Sequence, residues 1–469
     1  MSELLLQRVL DGLADRPDDP AFLGLDRISR AEFADLVRTY AGGLRKRKAR
    51  NFVLMARPGP ASFALALAAV GMGVRIDLIS PKGGTELVQS RLEETVPDFV
   101  VAEPGLRFLL KGPGWLRRPA GLPDWRIWPE IISIDDVGGA QVRRYGVEED
   151  QSALTVFTSG TTSHPVGVVH TAGSLSAGAE MVSTLFDADA PGPVMAGTFF
   201  AMLPAYALGK PIVLPARNPR RLAGQLRKWR PSHTYLTPPQ WRAALAAGAT
   251  TTGRVFAGSA TVTANLLSRL RAAGADEAWG VYAMTEVFPA AVIESRNKLT
   301  DDARGDHVGR LFDGVDARIE DDEIILSGRS MAPRCIDGAW RDDVATGDLG
   351  VLEGRELWLQ GRRKDMILRG TDNIYPGLYE PRLTVEGVDV ALLLGVPADD
   401  GDEELALLVD AGARSDKLRG VLQRRARELG LVVDHIIFDT VPTSGRSNKP
   451  DRQAARALVQ QHIRKGQGR

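Results

Sequence analysis

One cysteine, Cys335, in 469 residues leaves no partner for an intrachain disulfide and no cysteine cage for a metal. A solitary cysteine reads as a small packing residue, with a nucleophile as the open alternative. Net charge is absent too: Lys plus Arg and Asp plus Glu each total 59, so no global field draws the chain to nucleic acid or an anionic membrane. Any anion must therefore be held by a local arrangement. No apolar run reaches the roughly 20 residues a bilayer requires, and the longest, at 61–74, reads as a buried helix. The N-terminal MSELLLQRVLDGLADRPDD alternates apolar and charged residues at helical spacing, without the continuous apolar centre or cleavage site of a secretory leader. The expectation is a cytoplasmic protein that does not span a membrane. The Walker pattern GxxxxGK[ST] is also missing, which excludes that class of nucleotide triphosphatase.

What is present describes a globular chain: 44% apolar and 25% charged residues, in a length that implies two or three domains. From about 19 to 101, short β-rich runs (FVLMA, RIDLIS, DFVVAE) alternate with helical stretches, the order expected of parallel strands joined by crossover helices. The Gly-, Pro- and Trp-rich tract 107–130 reads as an irregular excursion. A second alternating block places strands at 154–158, 193–198, 211–214, 233–236 and 254–257, with helices at 218–229 and 264–273. Past 300, ARIEDDEIILSG and GVLEGRELWLQG suggest a small β-rich subdomain, and 366–469 reads as a compact α+β unit. The expected class is α/β: a large layered N-terminal body with parallel-type sheets and that β-rich subdomain, then a small α+β C-terminal unit. GRRKD at 361–365 is either an interdomain hinge or the charged exit of a hairpin.

Four segments can carry chemistry. LTVFTSGTTSHPVGVVH, 154–170, runs from an apolar strand through glycine and hydroxyl residues into a second strand. Gly160 permits close backbone approach, while Thr158, Ser159, Thr161 and Thr162 offer hydroxyl and N–H donors that can nest a polyphosphate; an ordinary polar hairpin is the alternative. GVYAMTEVFP, 280–289, offers Tyr282 for stacking on a purine and Glu286 as a hard ligand for Mg²⁺, although a strand-end Tyr and a solvated Glu are commoner. In the stretch 342–365, Asp348 lies fourteen residues before Arg362; if a hairpin joins them, carboxylate and guanidinium can hold a ribose. Finally, VPTSGRSNKPDR places Lys449 in a polar loop before the last helix.

Taken in order, these segments resemble the adenylate-forming superfamily of acyl-CoA synthetases, peptide-synthetase adenylation domains and luciferases. The phosphate loop (S/T)SG(S/T)TGxPKG matches TSGTTSHPVG at 158–167, and YGxTE matches YAMTE at 282–286, Thr285 included. The adenine-contacting turn matches Gly258, Ser259 and Ala260, and TGD matches Thr346, Gly347 and Asp348. GRxKD is present at 361–365, and GxNIYPxxxE matches GTDNIYPGLYE at 370–380. The resemblance implies a body over 1–361, a hinge at 362–366 with Lys364 as hinge residue, and a mobile lid over 367–469. It also implies a reaction. ATP with Mg²⁺ on Glu286 meets a carboxylic acid to give acyl-AMP and pyrophosphate, with Lys449 neutralising charge, the hydroxyl loop holding phosphates, and Asp348 with Arg362 fixing the ribose. CoA or a carrier thiol then accepts the acyl group.

The chain departs from the pattern at Ser163 for Gly, Val166 for Lys, Asn448 for the glycine before the terminal lysine, and in lacking the His of PxxHxxG. The stretch TFFAMLPAYALGKPIVLP, the segment TEVFPAAVIE and the Arg446, Asn448, Lys449 loop look like the olefin-type β-lactone synthetases, which close a β-hydroxy acyl-AMP on its own hydroxyl. GTDNIYPGLYE looks more like an acyl-CoA ligase. A noncatalytic nucleotide- or acyl-adenylate-binding homologue is the rival of another class. The acid pocket falls between about 197 and 290, where Phe199, Phe200, Met202, Tyr206, Tyr235, Trp241 and Phe288 favour an apolar or aromatic acid, unless they are core packing. Nothing in the sequence fixes an oligomeric state.

Overall fold

The computed structural model describes residues 4–79, 85–113, 127–157, 167–299, 302–369, 372–397, 403–444 and 449–467. Thr158, Ser159, Gly160, Thr161, Thr162, Ser163 and Val166 lie outside the described residues, as do Arg446 and Asn448. No helix among the described residues is long and apolar enough to cross a membrane.

Apolar runs bounded by glycine and polar turns set the strands of two sheets. One has seven strands, in the order Arg334–Cys335, Gly167–Thr171, Ser152–Phe157, Arg75–Leu78, Asn51–Met55, Phe99–Ala102, Ile131–Ser133. The last five are mutually parallel, and Phe99–Ala102 is buried along its whole length, the signature of a strand covered on both faces. Between the strands Asn51–Met55 and Arg75–Leu78 runs the helix Pro60–Gly71, which opens on a proline and buries Phe63, Leu65, Leu67 and Val70. The apolar run read from the sequence is therefore a core crossover helix.

The second sheet has thirteen strands. At its centre His233–Leu236, Arg254–Gly258 and Glu277–Tyr282 lie parallel, so their C-terminal ends emerge side by side. The two sequence blocks interleave between the sheets: Pro20–Leu23 pairs with Ile212–Val213, while Ser152–Phe157 pairs with Arg75–Leu78. The β-rich portion after 300 has its own core around Val315, Ile324, Leu326 and Leu357, yet its strands continue the large sheet. Ala291–Glu294 pairs antiparallel with Asp306–Leu311, and antiparallel strands extend a sheet without needing a covering helix.

The C-terminal part has a separate three-stranded sheet, Val388–Pro397, Glu403–Ala411 and His435–Phe438. Strand periodicity of two splits its residues between two cores. Leu393, Leu405 and Leu407 face the helix Asp416–Glu428, and Leu392, Leu394 and Leu408 face the helix Arg452–Gln467.

Candidate active site

The hairpin on which pairing Asp348 with Arg362 depended is present. Val344–Glu353 and Glu356–Arg362 turn at Gly354, whose φ of 62° suits glycine, and Asp348 lies directly across from Arg362. Arg362 Nε donates to Asp348 Oδ1 at 2.8 Å, and the Tyr282 hydroxyl donates to Oδ2 at 2.7 Å. Tyr282 ends the strand Glu277–Tyr282, and its ring reaches Asp348 in the middle of the strand Val344–Glu353. Burial and the Asp348 charge hold the Tyr282 phenol neutral, well above its ordinary pKa. Each carboxylate oxygen of Asp348 keeps a second lone pair for a ligand hydroxyl. Thr346 supports the turn from below, accepting from Asp348 N–H at 3.0 Å and donating to the Ile324 carbonyl at 2.8 Å.

Gly258 ends the adjacent parallel strand, and Ser259 and Ala260 follow it. Ser259 has φ of 69° and its Oγ lies 2.9 Å from the Tyr235 hydroxyl. A Cβ on Gly258 would stand 3.0 Å from that same hydroxyl, so a larger residue there would crowd the Tyr235 side chain.

Glu286 sits in the turn after Tyr282. Burial raises its carboxyl above the ordinary glutamate value, against the pull of Arg341, Arg362 and Lys449. Thr285 beside it is anchored: its carbonyl accepts from Nε2 of buried His170 at 2.8 Å, and His170 Nδ1 faces Ser174 Oγ at 3.1 Å. Desolvation depresses the His170 pKa, so the ring stays neutral. Lys449 approaches from the C-terminal part, carried on a short strand before the helix Arg452–Gln467. Its ammonium is pushed below the ordinary lysine value by desolvation and by Arg362, while Asp348 and Glu286 act to raise it. The residue retains solvent contact, which tempers that depression.

The structure thus brings Tyr282, Glu286, Asp348, Arg362 and Lys449 together from segments up to 167 residues apart, with Gly258–Ala260 at the next strand end. Lys364 is not part of that cluster. It occupies the single 3-10 turn Arg363–Asp365 joining the hairpin to the C-terminal part, where Asp365 is 3.2 Å from Arg452. Two neighbours escaped the sequence reading. His170 could have been suspected as the buried end of the strand leaving the phosphate loop. Arg341, whose charge reaches Glu286, gives no sequence signal beyond lying five residues before Thr346.

Between the strand ends and the helix Phe199–Ala207 lies a small apolar cavity lined by Leu185, Phe186, Phe200, Tyr235, Phe256 and Phe288, among others. Phe200 and Phe288 meet with ring centroids 4.0 Å apart. Of the other aromatics expected here, Tyr206 and Trp241 are core residues, bonded to the carbonyls of Leu13 and Phe256, and Met202 is buried with them. Phe199 packs edge-on against Phe63. A larger open concavity on the C-terminal part, lined by Arg414, His435 and His462, holds none of the expected site residues. Among the described residues no group of three or more His, Cys, Asp or Glu is placed to cage a metal.

A family model described as "AMP-binding enzyme" matches residues 11–327. The chain is 26% identical to a feruloyl-CoA synthase of Amycolatopsis sp over 466 residues, covering 89% of this chain and 91% of that one. It is 25% identical to an olefin beta-lactone synthetase of Xanthomonas campestris over 434 residues, covering 76% and 75%. The solved structure of an amide bond synthetase from Marinactinospora thermotolerans superposes with a TM-score of 0.79 at 21% identity, covering 97% of this chain and 99% of that one. The family match spans most of the chain, the fold agrees from end to end, and a carboxylate–guanidinium–ammonium cluster sits beside the end of the strand Glu277–Tyr282: the chain belongs to the AMP-binding enzyme family and is an adenylate-forming ligase.

Proposed function

We propose that the protein converts an apolar or aromatic carboxylic acid and ATP to acyl-AMP and pyrophosphate, then passes the acyl group to the thiol of CoA or a carrier. The observation that carries this reading is the position of Lys449, whose ammonium lies within electrostatic range of Glu286, Asp348 and Arg362 across the junction between the two parts of the chain. An ammonium there lets two anions approach. As the acid's oxygen attacks the α-phosphorus and the bond to pyrophosphate breaks, Lys449 offsets the charge that accumulates on the phosphoryl oxygens. Asp348 accepts from the ribose hydroxyls, held in place by Arg362 and Tyr282, and the Tyr282 ring and the Gly258–Ala260 turn flank the purine. The residues 158–162 supply hydroxyl and N–H donors to the β and γ phosphates.

Magnesium fits this site: the Glu286 carboxylate accepts from its own backbone N–H, forms no ion pair among the described residues, and faces three cations that a triphosphate would also engage. Glu286 would hold the ion, which would supply charge neutralisation for the triphosphate. The apolar cavity beside Phe288 receives the acid's tail once the Phe200 and Phe288 rings part. No charged side chain lines it, which disfavours an amino-acid substrate. Thiolysis of acyl-AMP then yields thioester, AMP and a proton, with residues 362–366 as the hinge, Lys364 at its centre, and 367–469 as the moving lid.

A second reading, closure of a β-hydroxy acyl-AMP on its own hydroxyl to a β-lactone, is favoured by Ala201 and Met202 in a stretch where the thioester-forming pattern carries histidine. One experiment separates these. Pyrophosphate release is followed with fatty, aryl and β-hydroxy acids, with and without CoA, and products are weighed. CoA-dependent thioester supports the first reading; a CoA-independent product lighter by one water replaces it with the second. No release with any acid would leave only a noncatalytic binder.

A further inference from the structure

The phosphate-loop segment 158–167 holds neither Lys nor Arg, because Val166 stands where the pattern has lysine. A triphosphate carries most of its charge on the β and γ groups, so a cation has to come from elsewhere. Lys449 belongs with the α-phosphorus, and Arg362 is committed to Asp348 at 2.8 Å, on the ribose side. Arg341 remains.

Its location is fixed from two directions. Residues 333–341 form a tight hairpin, closed by Arg341 N–H donating to the Pro333 carbonyl at 2.8 Å and Cys335 N–H to Ala339 at 2.9 Å. One side is stitched to the strand leaving the phosphate loop: Arg334 and Cys335 pair with Val169 and Val168, and Ile336 N–H donates to the Gly167 carbonyl at 2.8 Å. The segment entering the hairpin is stitched to the turn that carries Glu286 by Ala332 N–H donating to the Glu286 carbonyl at 2.8 Å and by the Val287–Met331 bridge. The hairpin therefore spans from the exit of the phosphate loop to Glu286. Among the described residues Arg341 forms no salt bridge, although of the cations acting on Glu286 it acts most strongly, ahead of Arg362 and Lys449.

We propose that Arg341 contacts the β and γ phosphates of ATP, supplying from the 333–341 hairpin the cation that the phosphate loop of this chain does not carry. The inference rests on the proposed nucleotide site and adds a residue to it. A planar guanidinium suits the task because it can bridge two phosphate oxygens at once.

The test is calorimetric titration of the full chain with ATP and with AMP, without acid, in magnesium and again in EDTA, for wild type, Arg341→Ala and Arg341→Lys. The expected result is an ATP affinity about ten- to a hundredfold weaker in R341A, with AMP affinity unchanged and R341K intermediate. The loss should persist in EDTA, since it comes from a direct contact. Equal weakening of AMP and ATP, unchanged ATP binding, or a loss confined to magnesium, in which case Arg341 acts only through Glu286, would each overturn the proposal. Wild-type protein that binds neither nucleotide would remove the proposed function as well. Should R341A not fold, R341K alone decides, by the same ATP-against-AMP comparison.

Discussion

Lys449 and Glu286 have opposite tasks, and their surroundings shift them in opposite directions: the ammonium below its ordinary value and the carboxyl above. A rate that needs a charged Lys449 is expected to have its alkaline limb below the ordinary lysine range in a pyrophosphate-release profile. Lys449→Arg should move that limb to higher pH, and an unmoved limb would assign it to another group. Lys449→Ala should slow adenylation by about a hundred- to a thousandfold while changing ATP affinity little, the pattern of a charge used in the transition state. Asp302 offers a residue-scale test of stability. Hydrogen bonds from Arg304, above all, and from Trp358 hold its carboxyl at about 2 against burial. Because the folded value is depressed, the stabilisation is present above the unfolded pKa near 4 and is lost as pH falls from there toward 2. Asp302→Asn should cost about 2 kcal/mol in denaturant unfolding at pH 7, about half of that near pH 3, and little near pH 2.

At the scale of elements, the junction between body and C-terminal part is held by charge. Arg269 reaches Asp389 at 2.5 Å, Asn265 donates to the Val388 carbonyl, and Arg242 faces both Asp389 and Asp410. These contacts favour the arrangement that places Lys449 in the site. Arg269→Glu should lower adenylation by about two- to fivefold, the modest effect expected of a half-exposed pair, and Asp389→Arg added to it should restore the rate. Restoration in the double variant is the decisive reading, since simple loss would also follow from misfolding. Elements also explain what the sequence conveyed. Asp348 and Arg362 could be paired on paper because a hairpin is local: spacing and a turn glycine suffice. The 333–341 hairpin is equally local, but where it docks depends on pairing with Gly167–Thr171, more than 160 residues earlier, so Arg341 could not be placed. The aromatics of 199–241 divide between cavity and core according to which face of each helix or strand meets the other sheet, and composition is silent on that.

For the whole molecule, the class was legible and the topology was not. Alternating β and helical patterns give parallel sheets under helices, yet they do not say that Ser152–Phe157 joins the strands of the first block while Pro20–Leu23 joins those of the second. Pairing partners far apart in sequence are chosen by the packing of both sheets at once. The consequence is functional: the interleaving puts the ends of Arg254–Gly258 and Glu277–Tyr282 beside the hairpin of Asp348, and the C-terminal part closes over them with Lys449. That convergence is the central claim. Its most direct measurement is acid-dependent exchange of labelled pyrophosphate into ATP, wild type against Lys449→Ala. Exchange that requires an apolar or aromatic acid and collapses in the variant is the expected result; a wild-type protein that binds ATP yet shows no exchange with any acid, or a variant that exchanges as fast as wild type, would contradict it.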